Sequence, residues 1–583
     1  MRFIPLLTFV RNPVLHISEL LTIKGANPFK IRAYRNAAET ITTLVDRVSE
    51  MDSKALLSIP GIGKDLASRI QELSNTGTSI FLSELLKDYP RSLLDLLKLQ
   101  GLGPKTVALL HTSLRITNID ELERAIQTGQ LNNLRGLGPK KQTLILNAIT
   151  EHRKHSGRHL GTTAWSTANR VVDYLQSSHP QGRFHVVGSL RRGCETCGAI
   201  DILAVTTSQS IHDTFIDFPT VDRIILKGQT KSSIVLRDGS QVDLRLISPE
   251  SEGAALQYFT GSRSHNVALR DRAVKRGLKL NEYGLFQASN QSLVAADTET
   301  EIYGALGLCG IPPELRENRG EIEAAESNHL PSLVTRKMIR GDLHSHTTAT
   351  DGQADIETMA RAAQSTGLEY LAITDHSQAL AMANGLDETR ALRHADAIKE
   401  IDRRLPNITL LAGIECDIRP DGKLDLSEDC LAQLDIVIAS VHSSFKQDER
   451  EMTDRILRAI ESPVVDIVGH PTGRLLLRRE PYNLNIDELI ESAATHGVAL
   501  EINSQPQRLD LNEIYAKRAR DRGVKLVIST DAHAPDQFHV LDWGLLVARR
   551  AWLEPSDILN TQSITELLAS LRRKRQPNRK EDQ

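Results

Sequence analysis

Asp342-Leu-His344-Ser-His346 begins the part of the sequence that decides the fold of the C-terminal third. From here to about residue 560, apolar runs typical of buried strands alternate with helical patterns. The later runs begin at Tyr370, Leu410, Ile436, Val464, Val498 and Lys525. Regular alternation of buried strands with helices predicts a parallel α/β barrel.

Histidines and carboxylates follow these predicted strands, where each run gives way to a loop. They are His344, His346, Asp351, His376, Glu415, His442, His470, Asp531 and His533. The C-terminal ends of barrel strands converge on one face, so we expect these side chains to form one cluster. A lone histidine is usually structural, but joint placement after successive strands indicates a metal centre. His and carboxylate ligands fit Zn²⁺, Mn²⁺ or Fe²⁺, and the set is large enough for two or three ions.

A second group of motifs lies between residues 184 and 266. The turn Gly188-Ser189 and the nearby Arg192 can cradle a triphosphate. Asp201 and Asp243 lie on predicted strands, and carboxylates on adjacent strands can hold Mg²⁺. The strands predicted here are 184–188, 200–205, 232–236 and 241–247.

Three similar segments occur near the N-terminus, each a Gly-x-Gly turn between two helical patterns. Their first glycines are Gly61, Gly101 and Gly136. Such a turn leaves the N–H groups of the second helix open to an anion, and a nearby lysine adds charge. The alternative is three ordinary helical hairpins with glycine turns, and one unit would not decide between the two interpretations. Three units on a basic segment favour binding of DNA phosphates. The candidate DNA-binding residues here are Gly61, Gly63, Lys64, Gly101, Gly103, Lys105, Gly136, Gly138 and Lys140.

The charge distribution favours the same interpretation. Residues 1–160 carry 22 Lys and Arg against 14 Asp and Glu, whereas the whole chain has a net charge of −3. A basic N-terminal region followed by an acidic remainder suggests that the N-terminal region binds a polyanion. Aromatic residues make up only 4% of the chain, which disfavours binding of single strands by base stacking.

Length and composition limit the number of structural units, the cellular compartment and the class of protein. The 583 residues suggest about four structural units. Five cysteines exclude a disulfide scaffold and fit a reducing compartment, so we expect a cytoplasmic location. The sequence has no apolar run long enough for a membrane span, and its apolar start lacks the features of a secretory signal.

The two motif groups resemble two known families. Residues 338–570 resemble the PHP (polymerase and histidinol phosphatase) family, through His-x-His, Thr-Asp-His, Gly-Ile-Glu, Val-His, Gly-His-Pro and Asp-Ala-His. That resemblance implies a distorted seven-stranded barrel, a trinuclear site filled by the nine residues named above, and phosphoester hydrolysis. Residues 188–266 resemble the nucleotidyltransferase core of family X DNA polymerases. This resemblance implies that Tyr258, Phe259, Gly261 and Asn266 pack against the sugar and base of a nucleotide.

Ala199 is a departure from the family X pattern. The family has Asp-x-Asp where this chain has Ala199-Ile200-Asp201. The missing aspartate bridges both metal ions in the family, and alanine cannot ligate. We therefore expect polymerisation to be strongly impaired, while nucleotide and primer binding survive.

The order of the motifs is similar to that of bacterial and archaeal PolX DNA polymerases with a C-terminal PHP domain. The stretch 27–35, with Lys30 and Tyr34, resembles the opening helix motif of that family, which lies near a 5′-phosphate on gapped DNA. Animal relatives use a lysine for lyase chemistry, but the corresponding residue here is Arg69, which cannot form a Schiff base. Cys194 and Cys197 form a Cys-x-x-Cys that we interpret as coincidental, with a zinc or redox role as the alternatives.

These observations predict a multidomain fold: an all-α helix-hairpin-helix N-terminal region, an α+β nucleotidyltransferase palm and thumb, and a C-terminal α/β PHP barrel. The predicted boundaries are 1–80 (first hairpin domain), 81–158 (fingers-like, two further hairpins), 159–248 (palm), 249–318 (thumb), 319–337 (linker), 338–572 (barrel) and 573–583 (charged tail).

The function expected is DNA repair, including base excision repair, by a monomer acting on gapped or primed DNA. A metal-dependent 3′-5′ exonuclease with Mn²⁺ or Zn²⁺ would reside in the barrel. A DNA polymerase site using Mg²⁺ and deoxynucleoside triphosphates would reside in the palm. Two alternatives remain: a nuclease on a non-catalytic DNA-binding scaffold, and a small-molecule phosphatase of the histidinol phosphate type.

Overall fold

The computed structural model describes residues 5–43, 51–59, 62–76, 79–97, 99, 101–132, 134, 136–155 and 157–575. The chain forms two compact units, Met1–Gly157 and Arg158–Gln583. None of the helices in the described ranges has the length and apolar character needed to cross a membrane.

The first unit is helical throughout its described residues. Its helices are α1 (Pro5–Lys24), α2 (Pro28–Thr43), α3 (Ser53–Leu57), α4 (Lys64–Thr76), α5 (Ile80–Asp88), α6 (Leu93–Leu97), α7 (Pro104–Leu114), α8 (Ile119–Gln127) and α9 (Pro139–His155). Side-chain caps fix two of the starts, because Asp52 accepts from the Ala55 N–H and Asn118 from the Glu121 N–H. The core includes Ile17 and Leu20 from α1 and Val107 from α7.

The Gly-x-Gly turns that begin at Gly101 and Gly136 lie at the starts of helices, as the sequence predicts. Gly103 is the N-cap of α7 and Pro104 is at its first position, where the absent N–H costs no hydrogen bond. Gly101 adopts φ +90°, and a Cβ there would lie 2.8 Å from Cδ2 of Leu144 on α9. The positive φ therefore favours glycine at this turn, and any larger residue would also displace the end of the Leu144 side chain.

The second unit begins with a five-stranded sheet. Its strands, in sheet order, are β2 (Arg183–Val187), β4 (Ala199–Val205), β7 (Gln241–Ile247), β6 (Lys231–Leu236) and β5 (Val221–Lys227). Only β4 and β7 run parallel to each other, and their register pairs Asp201 with Asp243. The elements are β1 (His159–Leu160), α10 (Gly161–Ser178), β2 (Arg183–Val187), α11 (Gly188–Arg191), β3 (Thr196–Cys197), β4 (Ala199–Val205), α12 (Ile211–Ile216), β5 (Val221–Lys227), β6 (Lys231–Leu236) and β7 (Gln241–Ile247).

A smaller α+β region follows, with its own core around Leu269, Leu285 and Ile302. Its elements are α13 (Glu252–Thr260), α14 (Arg263–Lys275), β8 (Leu278–Asn281), β9 (Gly284–Gln287), β10 (Leu293–Ala295), α15 (Glu299–Ala305) and α16 (Glu321–Glu326). Helix α16 lies inside the predicted linker, and its buried Glu321 is 2.6 Å from Nδ1 of His265. The segment 319–337 is therefore packed against the region before it.

A parallel sheet of seven strands occupies residues 338–575, all of which the structure describes. The strands, in sheet order, are β11 (Gly341–Asp342), β12 (Tyr370–Ile373), β13 (Thr409–Asp417), β14 (Ile436–Ser440), β15 (Ile467–Val468), β16 (Ala499–Asn503) and β17 (Leu526–Ser529). A bridge between Ser345 and Ala532 brings the two edges together, so the sheet forms a nearly closed barrel. The expected fold class is thereby confirmed.

Helices connect and flank these strands. They are α17 (Ile356–Ser365), α18 (Glu388–Asp402), α19 (Glu428–Leu431), α20 (Glu449–Glu461), α21 (Ile486–His496), α22 (Glu513–Asp521), α23 (Leu541–Arg550) and α24 (Ile564–Arg575). Helix α24 ends inside the predicted tail, and residues 576–583 lie outside the described residues.

Candidate metal centre and nucleotidyltransferase site

The predicted metal-ligating residues of the barrel come together at the C-terminal ends of its strands. Three groups have ligand atoms within 4.8 Å of one another. They are His346, Asp351, His376 and His533; His344, His346 and Asp531; and His376, Glu415 and His442. The ninth predicted residue, His470, has its Nε2 3.0 Å from Oε1 of Glu415. Shared members join the groups, as a multinuclear centre requires.

Glu415 lies at the middle of this cluster. Its carboxylate oxygens lie 2.9 Å from Nδ1 of His376, 3.3 Å from Nε2 of His442 and 3.4 Å from Nε2 of His344. Burial raises the pKa of Glu415, but the surrounding histidines reverse this effect and hold the pKa well below its usual range. Glu415 is therefore a buried carboxylate anion.

The donor set fits bound metal ions. Several buried ring nitrogens of this cluster lie near carboxylates but form no well-oriented hydrogen bond with any described residue: Nε2 of His344, both nitrogens of His346, Nδ1 of His376 and Nδ1 of His470. Buried polar atoms are normally satisfied, and each exception needs an explanation. Metal coordination would satisfy these nitrogens with the ligand types that Zn²⁺, Mn²⁺ and Fe²⁺ accept.

Two supporting carboxylates were missed by the sequence analysis. Glu501, on β16, accepts from Nδ1 of His344 at 2.7 Å and from the backbone N–H of His470 at 2.6 Å. Asp417 lies 3.1 Å from Nδ1 of His442. A carboxylate on the second ring nitrogen fixes the orientation and tautomer of a metal-binding histidine. Little in the sequence indicated a role for Glu501, because no histidine follows β16 directly.

Arg508 follows β16 at the same face of the barrel. Its Nε lies 3.8 Å from Oδ2 of Asp531, and its side chain is 21% exposed. Burial and then the charge of Arg508 lower the pKa of His470. A cation beside the ligand cluster is suited to an anionic substrate.

The second predicted site lies around β4 and β7. A cavity of about 540 Å³ is bordered by residues from the predicted motifs. They include Gly188, Ser189, Arg192, Ala199, Asp201, Tyr258, Phe259, Gly261 and Asn266. Asp243 lies in register with Asp201 on the neighbouring strand, so the structure brings the predicted nucleotidyltransferase residues together.

Gly188 lets the backbone approach the Asp201 side chain closely at this cavity. It adopts φ +66°, and a Cβ there would lie 2.4 Å from Oδ2 of Asp201. Any larger residue would therefore collide with the candidate metal-binding carboxylate. Ala199 is two residues from Asp201 on β4, so both side chains lie on the same face of the sheet.

The two remaining carboxylates have different surroundings. Burial and then the charge of Asp243 raise the pKa of Asp201 to about 6. Nζ of Lys231 lies 2.5 Å from Oδ2 of Asp243, and Gln241 donates to Oδ1 at 3.0 Å. These contacts outweigh burial and lower the pKa of Asp243.

The opening-motif residues of the first unit surround Phe81. Nζ of Lys30 lies 4.6 Å from the Phe81 ring centroid, and the Arg69 guanidinium lies 4.1 Å from the same centroid. Tyr34 is buried, and its hydroxyl donates to Oδ2 of Asp65 at 3.1 Å. Tyr34 therefore supports this cluster from inside, while Lys30 is exposed.

The other candidate DNA-binding residues lie at their helix starts. Gly101 is half-buried. The exposed residues are Gly63, Lys64, Gly103, Lys105, Gly136, Gly138 and Lys140. The predicted Gly61 lies outside the described residues. Cys194 and Cys197 are free thiols, and burial raises the pKa of Cys197 to about 11, which disfavours a reactive thiolate.

Family models match three parts of the chain. A helix-hairpin-helix domain matches residues 13–79, the DNA polymerase beta thumb matches residues 255–317, and the PHP domain matches residues 342–505. With the site geometry, these matches define the class of protein: a polymerase-type chain that also carries a PHP barrel.

Two relatives support this class of protein, one over almost the whole chain and the other over less than half of it. A Bacillus subtilis (strain 168) protein, DNA polymerase/3′-5′ exonuclease PolX, is 38% identical over 96% of this chain and 98% of its own length. A probable phosphatase from Thermoanaerobacter sp. (strain X514) is 30% identical over 40% of this chain and 96% of its own length. The chain belongs to the PolX family of DNA polymerases with a C-terminal PHP domain.

Proposed function

We propose that this protein is a DNA-repair enzyme that acts on gapped DNA and shortens its 3′ end through a metal-dependent 3′-5′ exonuclease in the barrel. The observation that carries the proposal is the cluster of buried histidines around Glu415 and Asp531, whose ring nitrogens form no well-oriented hydrogen bond within the described part of the chain. The Bacillus subtilis relative, which is named as a DNA polymerase and 3′-5′ exonuclease, matches almost the whole chain and favours DNA over a small phosphorylated metabolite as the substrate.

The nine clustered residues would hold two or three ions, Mn²⁺ or Zn²⁺. When bound, such ions activate water near neutral pH and neutralise the charge that develops on phosphate oxygens. Glu501 and Asp417 orient His344 and His442 for ligation. Arg508 binds a non-bridging oxygen of the scissile phosphate, because its guanidinium lies at the edge of the cluster.

We propose a nucleotide-binding but weakly polymerising palm. Ser189 and Arg192 bind the triphosphate, and Tyr258, Phe259, Gly261 and Asn266 pack against sugar and base. Asp201 and Asp243 would hold Mg²⁺, which would supply charge neutralisation for phosphoryl transfer, but Ala199 provides no third carboxylate. Because the site has one anionic ligand fewer than the family pattern, we expect slow nucleotide incorporation.

The helical first unit binds the DNA backbone. Lys64, Lys105 and Lys140 lie in the first turns of α4, α7 and α9, where a helix N-terminus and a lysine together would bind a phosphate. Lys30 binds a 5′-phosphate at the gap. We also propose the domain boundaries given in the sequence analysis, a monomeric state and a cytoplasmic location.

One labelled gapped duplex tests both sites. The primer 3′ end is followed on a denaturing gel in Mn²⁺, with and without deoxynucleotides. We expect shortening by the full-length protein and little extension. The variant H344A should abolish shortening, because it removes a ligand that lies 3.4 Å from the central Glu415.

A matched control is H496A, which removes an exposed histidine at the end of α21. It should leave shortening unchanged. Undiminished shortening by H344A would exclude the barrel as the nuclease. Release of phosphate from histidinol phosphate without primer cleavage would favour the small-molecule phosphatase instead.

A further inference from the structure

Arg550, at the end of barrel helix α23, lies against the palm loop that carries Arg192. Its Nη1 donates to the backbone carbonyl of Arg192 at 2.8 Å, and Nη2 donates to Oε1 of Glu513 at 2.9 Å. The Arg550 side chain is only 5% exposed. A buried arginine of the barrel therefore contacts the palm loop that borders the candidate nucleotide site.

Glu317 joins the two arginines through a single oxygen. Its Oε1 accepts from Nε of Arg192 at 2.9 Å and from Nη1 of Arg550 at 3.0 Å. Burial raises the pKa of Glu317, but the two arginines reverse this effect and lower it, so the carboxylate is ionised. Charge-assisted hydrogen bonds of this kind are short and directional.

The remaining contacts of Arg192 leave one edge of its guanidinium for a ligand. Nη1 donates to the carbonyl of Thr260 at 2.5 Å. Within the described residues, Nη2 makes a hydrogen-bond contact only with the Cys194 sulfur, at 4.0 Å. Sulfur is a weak acceptor, so this nitrogen retains donor capacity, and Arg192 is one of the residues that border the cavity.

The palm loop of residues 192–195 packs closely against the barrel. Gly193 adopts φ +71°, and a Cβ there would lie 3.2 Å from Cδ2 of Leu546 and 3.6 Å from Cδ of Arg550. Beside it, Nη2 of Arg474, in the loop after His470, lies 2.6 Å from Oε2 of Glu195. One ion pair, the hydrogen bond from Arg550 to the Arg192 carbonyl and the close packing at Gly193 thus fix residues 192–195 against the PHP barrel.

We infer that Arg550 is a positioning residue for nucleotide binding: through Glu317, the barrel holds the Arg192 guanidinium in the orientation that binds the triphosphate. This inference rests on the proposed nucleotide-binding role of Arg192. It makes the barrel a structural part of the palm site, in addition to its proposed nuclease role. Arg550 itself contacts no nucleotide.

Nucleotide affinity tests the inference without requiring polymerisation. The full-length protein is saturated with a one-nucleotide gap whose primer ends in a dideoxynucleotide and phosphorothioate linkages, which resist hydrolysis. Binding of the matching dATP in Mg²⁺ is measured by calorimetry. We expect R192A to weaken binding at least about tenfold, as for the loss of a charged hydrogen bond. We expect R550A to weaken it roughly fivefold by releasing that group.

The matched control is R549A. Arg549 precedes Arg550 on α23 and pairs with Glu314 at 2.8 Å, but it contacts neither Glu317 nor Arg192. R549A removes a comparable ion pair at the same junction but leaves the contacts of Glu317 with Arg192 and Arg550 in place. We therefore expect R549A to bind dATP within about twofold of the unmodified protein. Equal weakening by R549A and R550A would overturn the inference, because general loosening would then explain both.

The double variant R192A/R550A separates positioning from other effects. If Arg550 acts through Arg192, the double variant binds dATP as weakly as R192A and no weaker. A further loss, or normal binding by R550A, would overturn the inference. If R550A does not fold, E317Q decides, because it keeps the side-chain size and should also weaken binding. No effect of R192A, or no binding by the unmodified protein, would instead refute the proposed nucleotide site.

Discussion

Asp201 and Asp243 lie in register on adjacent parallel strands, yet their surroundings shift the two carboxyl pKa values in opposite directions. Burial and the neighbouring carboxylate raise the pKa of Asp201 to about 6, whereas Lys231 helps to lower the pKa of Asp243. One of the two acids therefore resists ionisation and the other is already paired with a cation. This pair is a weaker magnesium site than three aspartates would be.

Restoring the missing carboxylate should raise polymerisation. Position 199 borders the cavity beside Asp201, so an aspartate there can reach the same ions. We expect A199D to increase single-nucleotide gap filling about 100-fold, the scale of one electrostatic contact to a transition state. Steady-state primer extension in Mg²⁺ measures this. A199N, of similar size but uncharged, should remain slow, and fast extension by the unmodified chain would contradict the expectation.

Glu501 should control metal affinity from outside the ligand set. The variant E501Q keeps an acceptor for His344 but loses the charge that makes the imidazole a better ligand. We expect about 10- to 100-fold weaker Mn²⁺ activation of shortening, with recovery at high Mn²⁺. A Mn²⁺ titration of exonuclease rate measures this, with E491Q, an exposed glutamate on α21, as control. An unchanged Mn²⁺ dependence would refute the role.

The lysines after the Gly-x-Gly turns should set the salt dependence of DNA binding. Lys105 and Lys140 are exposed at the starts of α7 and α9. Replacing both with alanine should flatten the slope of log affinity against log salt by roughly 2, about 1 per phosphate contact. Fluorescence anisotropy with gapped DNA measures the slope. K87A, an exposed lysine on α5, is the control, and equal slopes would argue against phosphate contacts.

Glu299 should make the second unit acid-sensitive. It is paired with Arg191 at 2.6 Å and Arg316 at 2.5 Å, and these arginines outweigh burial and lower its pKa to about 2. Its stabilising effect is present above the usual pKa of 4.5 and is lost as the pH falls towards 2. We expect E299Q to cost about 3 kcal/mol of unfolding free energy at pH 7.

Urea denaturation at pH 7, 5 and 3.5 measures that cost. The difference between E299Q and the unmodified protein should be constant from pH 7 to 5 and narrower at pH 3.5. E301Q, an exposed glutamate on the same helix, should change stability little at any pH. A difference that widens towards pH 3.5 would reverse the expected sign.

The sequence predicted the barrel and its cluster well because the ligand residues immediately follow buried strands. The predicted strand 241–247 has the same bounds in the structure. Strand β5 was missed, because this edge strand leaves Ile224, Ile225 and Leu226 about half exposed and shows no alternation of apolar and polar residues.

Contacts distant in sequence were the part that could not be predicted. Glu501 is 157 residues from His344, and neither residue indicates the other by spacing. The predicted linker looked polar, yet its Glu321 is buried by a pair with His265. Hydrophobic patterning identifies elements, but a buried polar pair requires the tertiary structure to be known.

The close fit between the palm loop and the barrel limits how the chain can be divided. A fragment starting at residue 338 would retain Arg474 and Arg550, which are almost inaccessible in the intact chain, without their partners Glu195 and Glu317. A palm fragment would likewise expose the face that Leu546 covers at Gly193. Separately produced halves would therefore be poor reporters of either activity, and inactivating point substitutions are the sounder way to dissect this enzyme.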